Sequence, residues 1–572
     1  MPFMLSPGVN VTEIDLTTIV PAVGTTEGAY VGNFVWGPVL KIMSVSNEVE
    51  LANLFGEPDS NTFVSFFTAA NFLSYARNLR VIRASNTNHR NATTGSNQLA
   101  INNKDDYEYS YLTPGSVANT YGMFAARYPG SKGNSLKVSV WADSGNSQSY
   151  SGWTYATQFD SYPGTSTFVS NQLGANDEMH IVVVDEDGAF AGTANTILEK
   201  FAFCSKASDA TNDDGSSNYY VNVINDKSKY IYVLNHMQFG NIPATTTWGT
   251  AATGTAQAYS QVNNFVTLSF AGGITAAPTT GNIETAYDKF RNAEEVDISL
   301  ILTGDHNSII QQYVIDNLAE YRKDCVAFIS PARANVVNNL GEEASDVVDY
   351  KNIVGRSSSY YVMDSGWKSQ FDKYNNVLRW IPLNGDIAGL CVRTDFERDP
   401  WYSPAGFNRG QIKNVVKLAW NPNKSNRDDI YKVGINPIVS FPGEGTILYG
   451  DKTGLAKPSA FDRINVRRLF IVLEKAIARA ARYSLFEFND EFTRAQFVAL
   501  IEPYLRDVQG RRGIFDFRVV CDTTNNTPEV IDRNEFVGDI YIKPARSINF
   551  IQLNFVAVRT GVAFEEVIGK FG

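Results

Sequence analysis

The stretch that most constrains this chain is Phe461–Tyr483, reading FDRINVRRLFIVLEKAIARAARY. At about 100° per residue it forms an amphipathic helix with two distinct faces. Val466, Leu469, Phe470, Leu473, Ala476, Ile477 and Ala480 fall on one side, suited to burial. Arg468, Lys475, Arg479 and Arg482 fall on the other, at successive steps of seven, four and three residues. At a rise of 1.5 Å per residue the row of cations is roughly 21 Å long. The whole 572-residue chain is acidic, at −11, so such a row calls either for solvent, the usual fate of a charged face, or for an anionic partner. Arg467 lies off the row and is suited to an internal ion pair.

A chain of this length exceeds a single core. Hydrophobic residues make up 44% and aromatic residues 12%, while charged residues are only 19%. That balance suits extensive β structure and large protein contacts. The acidic total argues against general nucleic-acid binding. Cys204, Cys325, Cys391 and Cys521 are far apart and form no CxxC pair, which points to buried thiols in a reducing compartment rather than disulfides. The opening MPFMLSPGVN reaches Pro and Gly too early for a secretory leader. No stretch approaches the ~20 apolar residues of a membrane span.

In chain order, residues 1–20 read as an extended arm: Val9, Val11, Ile14 and Leu16 give a strand with no return strand nearby. An α/β pattern follows over 21–90, with strands at Ala29–Val39 and Leu79–Arg83 and helices at Asn47–Phe55 and after Thr62. Residues 91–282 read as a β-rich insertion with polar loops, including strands at Leu136–Trp141, Ile181–Asp185, Tyr219–Ile224 and Tyr230–Leu234. The α/β pattern resumes over 283–380: strand Val296–Leu302, helix Asn307–Arg322, strand Val326–Ile329. Residues 381–558 form a C-terminal domain with helices at Gly385–Arg393, 461–483 and Thr493–Val508. Its strands are Phe515–Cys521 and a long one at Asp539–Val558, where Ile548 and Phe550 oppose Ile551, Leu553 and Phe555, so both faces demand burial. Residues 559–572 are a second arm. The expected fold class is therefore α+β and multidomain, a mixed α/β core with a β-rich insertion and extended terminal arms.

Motifs for catalysis are sparse. Gly445-x-x-x-x-Gly450-Asp451-Lys452-Thr453 imitates a phosphate loop, but Asp451 stands where the lysine should follow the glycine, and its carboxylate would face the phosphates. Asp213-Asp214-Gly215 imitates a calcium loop, yet Ala210 and Val221 occupy its first and last ligand positions. His89, His180, His236 and His306 sit in no zinc-type pattern, and no GxSxG is present. The residues thus supply no catalytic set, no metal site and no cofactor site. An α/β enzyme built from scattered residues, or a static shell using 91–282 as a carbohydrate-binding face, stays open on this ground alone.

Longer strings are more specific. LSPGVNVTE, VGNFVWGPV, SLILTG, RKDCVAFISPAR, RWIPLNGDIAGLCVRTD, WYSPAGFNRGQI, GINPI, LYGDKT, FDRINVRRLF, LFEFNDEFTR, FRVVCDTTNNTP, VIDRNEF and IKPARSINFIQLNFVA follow one another in order. Together they resemble the contractile tail sheath proteins of T-even-type phages, over most of the chain outside 91–282. That region looks shorter than the protruding part of the larger T-even sheaths.

The resemblance implies a structural subunit, not an enzyme. It implies a homo-oligomer stacked as rings, usually of six, around a tail tube, with baseplate and tail terminator proteins as further partners. No nucleic acid and no inserted membrane is involved. It implies a metastable extended state that contracts to drive the tube through the host envelope, in a virion tail assembled in the host cytoplasm. A phage-derived injection system or tailocin is the alternative. It implies strand exchange between subunits through the arms, placing Val9, Val11, Ile14, Leu16, Ile548, Phe550, Ile551, Leu553 and Phe555 at the contacts. It also gives the basic row a partner, since sheath C-terminal regions line the inner wall and tail tubes tend to be acidic outside: Arg468, Lys475, Arg479 and Arg482 are expected to face the tube.

Overall fold

The computed structural model describes residues 24–112, 118–143, 147–236, 247–262, 265–549 and 552. The chain enters the core at β1 (Gly28–Gly32), buried along its whole length. After β2 (Met43–Val45), the helix Glu48–Phe55 is capped by Asn47, whose side chain accepts from the Glu50 N–H, and it stops at Gly56. The helix Phe63–Leu73 follows, with nine of its eleven residues buried. Then β3 (Leu79–Arg83) pairs in parallel with β1, Gly28 opposite Leu79, and antiparallel with β2.

The insertion comes next. β4 (Leu136–Trp141), β5 (Glu178–Asp185), β6 (Thr196–Ser205) and β7 (Phe265–Ser269) form an antiparallel sheet in the order β6-β5-β4-β7. The strand expected at Tyr219–Ile224 is instead a helix, Tyr220–Lys227. Its buried Tyr220, Val223 and Ile224 stand at i, i+3 and i+4. The aromatic and β-branched composition suggests a strand, but burial of one helical face against the sheet decides.

Beyond the insertion, β8 (Leu300–Leu302), β9 (Val326–Ile329) and β10 (Tyr361–Met363) complete a six-stranded sheet ordered β10-β9-β8-β1-β3-β2. Because β1 pairs with both β3 and β8, segments from either side of the insertion close one sheet. The expected strand from Val296 is short, since Lys475 binds Asp297, the Ile298 carbonyl and the Ser299 hydroxyl. Successive side chains alternate between two cores: Tyr30, Val81, Leu302 and Phe328 face one, and Val31, Ile82, Ile301 and Ile329 the other. Both faces are apolar because helices cover both, as a parallel sheet requires. The first face carries Phe63–Leu73 and Asn384–Glu397. Gly385 and Gly389 permit their contact: a Cβ there would meet the Thr68 carbonyl and the Tyr75 ring at 2.5 Å. The second face carries Thr280–Asp288, Glu343–Val354 and Ser308–Val314, which runs on through a π turn at Ile315–Ala319.

Ile381, Leu383, Ile387, Leu390, Ile438 and Leu448 belong to the first of these cores. Residues 381 to about 450 thus share the sheet's core, which also takes in Ile464 and Ile471 of the later helix, while Trp401 packs in the C-terminal core. The later part has its own core, in which the helix Ile464–Ala481 packs on Glu491–Gly510 and on the antiparallel pair β11 (Ile514–Val520) and β12 (Asp539–Pro544). Of the long strand expected to Val558, the described residues show Asp539–Pro544 paired with Ile514–Val520. Ile548 is 82% exposed, so this chain does not bury it. Phe550, Ile551, Leu553 and Phe555 lie outside the described residues, as do Val9, Val11, Ile14 and Leu16.

Two buried polar centres fix the body. Arg83 donates to the carbonyls of Phe34, Gly37 and Pro129, all at 2.9 Å, and so clamps the insertion to the core. Asp364 accepts from the Ser330 hydroxyl at 2.6 Å and the Gly366 N–H at 2.9 Å. Asn384 donates to that Ser330 oxygen and to the Gly304 carbonyl, joining three strand ends to one helix start. Burial, with the nearby Asp386 charge adding to it, pushes the Asp364 carboxyl up to about 8 against these hydrogen bonds. A raised carboxyl favours the protonated fold, so its contribution is complete below its unfolded value near ~3.9 and is lost as pH rises through about 8. Urea unfolding of Asp364→Asn across pH 4 to 8 is expected to lack a stability slope of up to about 1.4 kcal/mol per pH unit that the parent shows; identical slopes would contradict the assignment.

Candidate interaction surfaces of the C-terminal helices

The basic row divides once its surroundings are known. Arg468 is 4% exposed and makes a two-pronged pair with Asp395 of Asn384–Glu397, at 2.8 and 2.6 Å. It also reaches the Thr25 carbonyl, and the Thr25 hydroxyl donates to Asp395 at 2.6 Å. Burial raises the Asp395 carboxyl, with Arg468 and Thr25 drawing it back. Lys475, with its side chain 9% exposed, binds Asp297 at 2.9 Å and lies 3.6 Å from Asp324. Arg479 also pairs with Asp297 but keeps 39% of its side chain exposed. Partial burial pushes the Asp297 carboxyl up, yet Lys475 and Arg479 together hold it below its ordinary range. Arg482 is exposed and makes no ion pair among the described residues. Arg468 and Lys475 are thus seam residues facing the sheet body, closed to any partner; only Arg479 and Arg482 reach the surface. Their helical spacing is real, but the acids that neutralise them lie 73 and 178 residues away in sequence. Arg467 is buried between the rings of Tyr360 and Phe461, at 4.4 Å from each, with Glu474 at 3.6 Å.

The turn after this helix is the opposite case, an apolar segment left outside. Tyr483, Leu485, Phe486, Phe488 and Phe492 are 63–104% exposed. Three carboxylates, Glu487, Asp490 and Glu491, stand among them. Phe486 holds a left-handed backbone at φ 69°, which turns its ring outward. The stretch crowds four aromatics into ten residues at mixed steps of three, two and four, a signal that could have marked it as a contact.

A groove of about 930 Å³ opens on another side, between Trp401–Arg409, the helix Lys424–Lys432 and Ala545–Asn549. Asp451, the residue that spoils the phosphate-loop resemblance, is its anchor. It is 2% exposed and accepts from Ser403 at 3.0 Å, Ser547 at 2.7 Å and Asn549 at 3.0 Å, with Arg463 at 3.4 Å. Gly445–Leu448 is a strand paired with Ile438–Phe441, so the glycines belong to a hairpin. Phe407 and Tyr449 line the wall and cluster with Phe441, with Arg427 over the Phe441 and Tyr449 rings. No group of three metal-type ligands occurs among the described residues.

Comparison with known proteins identifies the family. Residues 272–454 match the family model of the phage tail sheath protein central domain, and residues 456–557 that of the phage tail sheath C-terminal domain. The tail sheath protein of Vibrio phage KVP40 is 34% identical over 684 residues, covering 99% of this chain and 100% of its own length. That of Enterobacteria phage T4 is 33% identical over 686 residues, covering 100% of both.

The chain belongs to the tail sheath protein family of contractile phage tails.

Both alignments are longer than the 572-residue chain, so these relatives carry segments it lacks. The crystal structure of a sheath tail protein from Desulfitobacterium hafniense shares the fold, with a TM-score of 0.53 at 11% identity, covering 94% of this chain and 100% of that one. Sheath proteins are structural parts of the virion tail. Within this family member, the seam at Arg468 joins the central and C-terminal units. Removing one partner of a buried pair costs about 3–5 kcal/mol, because the other charge stays buried. Arg468→Ala is expected to lose that much in urea unfolding, while Arg482→Ala stays within about 0.5 kcal/mol of the parent. Equal effects at the two positions would contradict the division of the row.

Proposed function

We propose that this chain polymerises as stacked hexameric rings around the tail tube, in a metastable extended state, and contracts to drive the tube through the host cell envelope. The observation that carries this reading is the β11–β12 pair, which is two-stranded among the described residues. The pair packs on the helix Glu491–Gly510, and as a two-stranded sheet it leaves outer edges on which further strands can add. Arms from neighbouring copies would complete it, with Val9, Val11, Ile14 and Leu16 on one arm and Ile548, Phe550, Ile551, Leu553 and Phe555 on the other. Strand addition links copies by backbone hydrogen bonds while a tether lets each body move. A head-to-tail contact that does not close then propagates as a helix. The work resides in a bistable interface between rigid bodies. Baseplate and tail terminator proteins would bound the polymer at its two ends. The same chemistry would serve the sheath of a phage-derived injection system or tailocin; the full-length similarity to phage sheaths favours a virion.

Contact with the tube would rest on Arg479 and Arg482. Exposed pairs near 0–1 kcal/mol each are weak enough to slide and add up along a tail. Arg482→Glu, alone and with Arg479→Glu, is expected to reduce assembly on purified tail tubes in electron micrographs. Normal decoration of tubes by both variants would refute the tube-facing assignment. Deleting residues 1–20 should abolish sheath formation while leaving a folded monomer by circular dichroism; sheaths formed by the truncated chain would rule out strand exchange through that arm.

A further inference from the structure

The exposed aromatic turn and the basic groove are two unpartnered surfaces of opposite character on one molecule. The turn at 483–492 offers five large apolar side chains, of which Phe486 and Phe488 are 104% and 84% exposed, with three carboxylates and no cation between them. The groove offers Arg409, Lys424, Arg427, Arg512 and Arg546 against two carboxylates, of which Asp451 is already bound by its neighbours. None of these five cations forms an ion pair among the described residues. At about 930 Å³ the groove has the size of a site that encloses a compact ligand. No residue of the turn lines the groove of its own chain.

We infer that the turn 483–492 of one copy inserts into the groove of a second copy. The rings of Phe486 and Phe488 would enter beside Phe407 and Tyr449, where arginines can lie over aromatic faces as Arg427 already does over Tyr449 and Phe441. Glu487 and Glu491 would meet Arg427 and Arg546 at the rim. Burying the rings accounts for apolar surface that a free monomer would otherwise show to water. The two patches differ, so the contact is heterologous and repeats from copy to copy instead of closing a dimer. This inference rests on the chain assembling with its own copies, and it adds a contact separate from the arms.

The four native cysteines are buried, which allows a direct test on the full-length chain. Phe486→Cys and Asn408→Cys proteins are mixed, assembled with tail tubes and oxidised. A disulfide-linked dimer that requires both variants is expected, absent from either alone and from dilute unassembled mixtures. Charge reversal of Arg427 and Arg546 to Glu should lower assembly at least tenfold at matched concentration, and pairing it with Glu487→Arg and Glu491→Arg in the same chain should recover most of that loss. Parent sheaths that form while the mixed cysteines stay unlinked would overturn the inference. So would cross-links confined to one chain, or charge variants that assemble like the parent. A parent chain that forms no sheath even on tubes would overturn the sheath reading and this contact with it.

Discussion

The architecture depends on a charge pair taken out of water. Arg468 and Asp395 join the C-terminal helix Ile464–Ala481 to Asn384–Glu397, which itself lies on the six-stranded sheet. Thr25 enters the same cluster from the start of the described chain. Three segments, more than 400 residues apart in sequence at the extremes, thus meet at one guanidinium. Replacing such a pair by apolar residues of similar volume is often neutral or better for stability. Its value lies in geometry: two parallel hydrogen bonds admit one relative placement of the helices, where a greasy seam would tolerate sliding. Lys475 with Asp297 and Asp324 repeats the constraint two turns along. Under the proposed contraction, a subunit that moves as a body between two assembly states needs its units locked in this way, because slack inside the subunit would dissipate strain meant for its interfaces.

How legible this was in the sequence depends on range. The strands β3, β4 and β9 stand where their short apolar runs place them, since a fully buried strand bounded by turn residues leaves a local mark. The helix Glu48–Phe55 announces itself by Asn47 and Gly56. By contrast, Tyr220–Lys227 shares its composition with strands, and only packing against the insertion sheet makes its helical spacing decisive. Asp539–Pro544 is the part of the expected long strand that lies among the described residues and pairs with Ile514–Val520. The basic row shows the limit most clearly. The periodicity of Arg468, Lys475, Arg479 and Arg482 gives their common side correctly, but periodicity cannot say whether that side meets solvent or Asp395 and Asp297. That information resides in tertiary contacts. The aromatic turn at 483–492 was readable as an anomaly, whereas the groove was not, because it is assembled from three stretches spanning Trp401 to Asn549.

Charge accounting links these features. Each copy carries −11, so a polymer of identical copies starts from mutual repulsion. Attraction between them must come from local complementarity, which cations placed at contacts can supply. The interior consumes several: Arg83 on backbone carbonyls, Arg468 and Lys475 on carboxylates, Arg467 between rings. Five cations without a carboxylate partner among the described residues line the groove beside Tyr449, and Arg482 stands exposed just past Ile464–Ala481. Their concentration beside exposed aromatic rings combines a short-range apolar term, insensitive to salt, with a longer-range charge term that falls off within about 10 Å at ordinary ionic strength. The first resists separation of a formed contact, and the second steers copies into register before it forms. Under the proposed function, an assembly that stays shut until triggered, yet grows in register, draws on both terms at the same patch.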